Sequence, residues 1–61
     1  MYLIYGKFKD MNRFEAIDLS NGTFVNRLIY ASMFQDKDRA EKVAESLMKQ
    51  NSNLICVVRK N

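Results

Sequence analysis

Glu15 and Asp18, Asp36 and Asp38, and the single thiol of Cys56 are the side chains from which acid–base or nucleophilic chemistry could start in this 61-residue chain. Paired carboxylates do such work when they share one site and differ in protonation. Glu15 and Asp18 differ in parity, so on a strand they point to opposite faces. Asp36 and Asp38 open an amphipathic run and are accounted for as negative charge at a helix start. The chain has no histidine, which excludes Ser-His-Asp and Cys-His nucleophiles and the common zinc ligand sets. Cys56 stands between Ile55 and Val57 and reads as a small buried hydrophobe; apolar surroundings raise a thiol's pKa instead of activating it. The two isolated glycines cannot build a phosphate-cradling loop, which needs several. The expectation is a non-enzymatic protein with no catalytic residue, metal, cofactor or small-molecule substrate.

Cations and aromatics are the remaining candidates. Tyr5, Lys7 and Lys9 alternate along one extended segment and share a face, and Arg59 or Lys60 would lie nearby if the last strand is its neighbour. Such a face could stack bases and neutralise phosphates, or enter a major groove as a β-ribbon. The net charge of +3 permits nucleic acid as a partner, but the ten cationic residues are spread along the chain, and clustering is what argues for binding. Lys7, Lys9, Arg13, Arg27, Arg59 and Lys60 are the residues that would serve. In the plainer reading, Tyr5 packs with Leu3 and the lysines keep a sheet edge soluble.

The elements that must position these groups can be read from periodicity and turns. Residues 2–9 alternate as a strand, with Gly6 marking a bulge or a close approach, and residues 13–19 read as a second. Asn21-Gly22 between apolar segments predicts a tight hairpin turn of type I′, with positive φ at both residues. A third strand then begins at Thr23, is interrupted at Asn26 and Arg27, and continues over residues 29–34 as a strand or edge segment. Asp36 is a good N-cap, and Ala40, Val43, Ala44 and Leu47 form the stripe of an amphipathic helix with Lys49 in its last turn. Asn51 or Asn53 suits a left-handed cap. Residues 54–60, LICVVRK, are apolar on both faces, as in an interior strand. Together residues 1–61 form one α+β domain, β-β-β-α-β: a small, mostly antiparallel sheet of three to four strands with one helix on one face. The expected strand order is 3-2-1-4.

One helix covers one sheet face, yet the first and last strands carry apolar residues on both. Either the third strand folds back over the second face or another chain covers it. A chain of this length buries only about 60% of its unfolded surface, and without a disulfide or a metal the remaining supplements are self-association or an efficient small core. Leu3, Tyr5, Leu28, Ile29, Tyr30, Ile55 and Val57 are therefore expected to form a protein interface, with a homodimer as its simplest product. The N-terminal MYLIYGKFKD lacks a signal peptide's basic n-region, no run approaches the roughly 20 apolar residues of a membrane span, and a lone cysteine suits a reducing compartment. A cytoplasmic location is expected.

The ASMF segment ending in Phe34, the DRAEKVAESL helix start and the closing strand make residues 31–58 resemble small bacteriophage and mobile-element proteins of low-GC bacteria. That resemblance implies an accessory role: an inhibitor of host defence or host enzymes, or a DNA-binding helper. The order of three strands and a helix is also similar to the arm-site DNA-binding domain of tyrosine integrases, which reads the major groove with its sheet. This chain is less basic than that domain and adds a fourth strand.

Overall fold

A strand with apolar residues on both faces belongs in the middle of a sheet, and the first strand lies there. The computed structural model describes Met1–Asn61 as β1 (Tyr2–Phe8), β2 (Glu15–Asp18), β3 (Thr23–Val25), a 3₁₀ turn (Leu28–Tyr30), β4 (Met33–Phe34), α1 (Lys37–Gln50) and β5 (Leu54–Lys60). β1 pairs with β5 along its whole length, from Tyr2↔Lys60 to Phe8↔Leu54. Its other side is shared: β2 takes Tyr5 and Gly6, and β4 takes Tyr2 and Leu3. β3 completes the hairpin on β2. All four pairings are antiparallel, and the order β3-β2-β1-β5 agrees with the expected one. The fold class is α+β, with α1 against one sheet face.

The core lies between α1 and that face. Ile4, Ile17, Ala44 and Cys56 form its centre, ringed by Phe24, Phe34, Leu47, Leu54 and Val58. The buried helix residues are alanines, Ala40 and Ala44; their small side chains let the helix backbone approach the strands. Asp36 caps the helix by accepting from the Asp38 amide at 3.0 Å, which satisfies one of the amides that a first turn leaves unpartnered. No helix is long and apolar enough to cross a membrane.

Three local expectations need correction, and at Gly6 one of two expected alternatives holds. The hairpin forms at Asn21-Gly22, but only Gly22 has positive φ, at 66°, and the loop spans residues 19–22 because Asp18 pairs with Thr23. Asn21 works through its side chain: its Nδ2 donates to Asp18 Oδ2 at 2.8 Å, while Ser20 donates its amide and hydroxyl to Asp18 Oδ1 at 3.0 and 2.7 Å. A carboxylate that organises the loop has replaced the two-residue turn. Gly6 marks close packing and no bulge, since the β1–β5 register runs unbroken through Gly6↔Cys56; a Cβ there would sit 2.7 Å from Ile17 Cδ1. The helix ends without a left-handed residue: Asn51 has φ −141° and donates to Leu47 O, and its Oδ1 accepts from Asn53 N. Of residues 29–34 only Met33 and Phe34 are strand. The segment before them coils into the 3₁₀ turn because Ser32, by donating to Ile17 O and accepting from Leu19 N, ties it to the end of β2.

Candidate functional site

Alternation along β1 and β5 places Leu3, Tyr5, Lys7, Ile55, Val57 and Arg59 on the face that α1 leaves uncovered. Ala16 joins them opposite Tyr5, and Val25 lies beyond it. Two cations bend over the aromatic rings of this face. The Arg59 guanidinium lies 5.1 Å from the Tyr5 ring centre and 5.7 Å from that of Phe14, and Lys7 Nζ lies 5.7 Å from Phe14. Such contacts are worth about 0.5–1 kcal/mol at exposed sites and shield the ring faces from water.

The sequence reading missed Phe14 as a member of this cluster. Its parity with Ala16, which pairs with Tyr5, was the available signal, but its link to Arg59 runs across two strand pairings. Arg13, Tyr5, Phe14, Ala16, Val25 and Leu28 line a shallow pocket of about 300 Å³ on the same face. The start of the 3₁₀ turn therefore borders this face at its β3 end.

The residues expected to form a protein interface separate into three groups. Leu3, between Met33 and Arg59 in the sheet, is only 1% exposed and so offers no surface to a partner. Tyr5, Ile55 and Val57 are half-buried, with Tyr5 under Arg59. Leu28, Ile29 and Tyr30 remain 42%, 75% and 58% exposed and, with Met33 just beyond them, form an apolar ridge.

The six candidate cations are also divided. Lys7, Arg13 and Arg59 come together around Tyr5 and Phe14. Arg27 is adjacent, between the pocket-lining Asn26 and Leu28. Lys9 lies past the end of β1, where its amide bonds to Asn53 O. Lys60 pairs with Tyr2, so alternation sends its side chain to the opposite face from Arg59.

The largest cavity, about 680 Å³, lies elsewhere, between the hairpin tip and the end of α1, with Phe8, Ile17, Phe24, Leu47 and Leu54 in its wall. Its polar groups come from Thr23, Gln50 and Asn51, so it offers apolar volume without a titratable side chain. Burial pushes the Cys56 thiol up. Asp18 is held below the ordinary carboxylate value by the Ser20 hydroxyl above all, with desolvation opposing and the Asn21 amide adding to the effect. The chain matches no protein-family model, no curated protein and no solved structure.

Proposed function

We propose that the protein is a non-enzymatic binding module that acts by protein–protein contact through the ridge Leu28–Tyr30, with a second copy of the chain as the simplest partner. The carrying observation is that its most exposed large apolar side chain, Ile29, stands between two others on the 3₁₀ turn. A small core supports the reading: nine of 61 residues are buried, and Leu3 and Ile4 are the only large side chains buried completely. Association that covers the ridge would add apolar burial where the monomer has little. The likeness of residues 31–58 to small phage and mobile-element proteins suggests an accessory or host-inhibitor setting for such contacts.

Sedimentation over a range of concentrations tests this directly. The parent is expected to shift from monomer to dimer and Ile29→Asp to remain monomeric. A parent that stays monomeric at about millimolar concentration, far above a typical specific Kd, would sink the self-association reading.

The cation-covered face favours a second reading, nucleic acid binding through Lys7, Arg13 and Arg59 with Tyr5 and Phe14 as stacking surfaces. Fluorescence anisotropy at low salt with single- and double-stranded DNA and RNA decides it. Binding must weaken steeply with salt, since each neutralised phosphate releases counterion.

A further inference from the structure

The free edge of β5 carries backbone groups with no partner strand. Lys9 N donates to Asn53 O and Asn61 N to Met1 O, which marks 9↔53 and 1↔61 as hydrogen-bonded pairs in the β1–β5 ladder. Bonded and non-bonded pairs alternate in an antiparallel ladder, so Ile55, Val57 and Arg59 bond to β1 while Cys56, Val58 and Lys60 direct their amides and carbonyls outward. No turn or cap bond uses these outward amides; Leu54 N, by contrast, is taken by Asn51 O.

The edge is seven residues long, without proline or a bulge, and lacks most of the devices by which proteins blunt such edges. Beside it runs a groove of about 380 Å³, floored by Ala44, Met48, Cys56 and Val58 and bordered by Glu41 and Glu45. Those two carboxylates are one helical turn apart on the same row and repel each other, with Lys37 and Lys49 one turn beyond them at its two ends.

We propose that this groove takes an extended, basic segment of a partner protein as an added strand on β5. Backbone bonds to Cys56, Val58 and Lys60 hold the segment. Lysine or arginine side chains at alternate positions lay their aliphatic stems over Ala44, Met48 and Val58 and set their charges against Glu41 and Glu45. A second copy of the chain fits less well, since two-fold pairing of β5 with itself would bring two acidic helix rails together. The site is separate from the Leu28–Tyr30 ridge and does not depend on it.

The test is an amide NMR titration of the full chain with a peptide of about eight residues, within the usual length of a strand, alternating valine and lysine. Saturable shifts at Cys56, Val58 and Lys60 and along residues 41–48 are expected. Affinity should fall about tenfold or more when glutamate replaces lysine in the peptide, when alternate peptide amides are N-methylated, or when the protein carries Glu41→Lys with Glu45→Lys, as loss of two or three net bonds or charge contacts implies. Val58→Pro, which removes an outward amide together with a side chain of the groove floor, should act likewise; if it fails to fold, the methylated peptide and the charge variants still decide. The proposal is overturned by absent or non-saturable binding, by equal affinity for the glutamate peptide, by shifts confined to Leu28–Tyr30, or by β5 amides that move with protein concentration alone, which would make a second copy the occupant.

Discussion

Gly6, Gly22 and Cys56 each owe their identity to a different physical demand. At Gly6 the demand is space, and Gly6→Val drives a side chain into Ile17 and should cost about 1–3 kcal/mol in chemical denaturation, the usual penalty of overpacking. At Gly22 it is conformation: φ is 66° and nothing lies within 4 Å of where a Cβ would be. Gly22→Ala should therefore cost about 1–2 kcal/mol through the backbone alone. Cys56 is 7% exposed in the core centre, and its raised pKa makes a prediction about alkaline stability. The folded state holds that proton more tightly, so the associated stability is complete below the ordinary thiol value of 9.0 and is lost as pH rises toward the folded one. Unfolding midpoints measured from neutral to alkaline pH should fall in the parent and fall less in Cys56→Ala, whatever that variant loses at neutral pH. Asp18 has the opposite sign: its lowered pKa stabilises above the ordinary 3.8, and that contribution fades as pH drops through the folded value.

Among the elements, α1 was the most legible, because its cap, first-turn acid, apolar stripe and final lysine all lie within the element and refer to one another. The hairpin was legible in place but not in geometry. Asn-Gly marks a reversal, yet the loop is organised by the Asp18 carboxylate, whose hydrogen bonds to Ser20 and Asn21 no propensity reports. Residues 26–34 were the least legible: their apolar content suggests a strand, while Ser32 bonds to β2 and so leaves Leu28–Tyr30 as a short exposed turn. That division makes Ile29 separable from folding. Ile29→Asp should change unfolding free energy by no more than about 0.5 kcal/mol, as surface substitutions usually do, while reducing association. A large loss of stability in the monomer would show that the ridge serves the fold and not a partner.

For the whole molecule, the radius of gyration of 10.5 Å is that of a compact chain of this length, and so small a body has little interior to spare. If association supplies the shortfall, the melting temperature should rise with protein concentration, because a partner that binds only the folded form stabilises it by mass action. Calorimetry at two concentrations about a hundredfold apart, equivalent to roughly 2.7 kcal/mol in the one-site limit, would show it. The amino-acid sequence by itself determined the helix and its buried face, the extended character of the first, second and last strands and the surplus of apolar side chains, because periodicity and capping act over a few residues. It also narrowed the chemistry, since a chain without histidine has few proton-transfer arrangements open to it. Only the tertiary arrangement decided which of those apolar residues meet water. Leu3 and Ile29 are both strongly hydrophobic, but one lies in the central strand and is buried, while the other stands on a turn beside a serine tether and is left on the surface. The meeting of Arg59 with Tyr5 and Phe14, and of the free β5 edge with the acidic rail of α1, likewise depends on neighbours far apart in the chain.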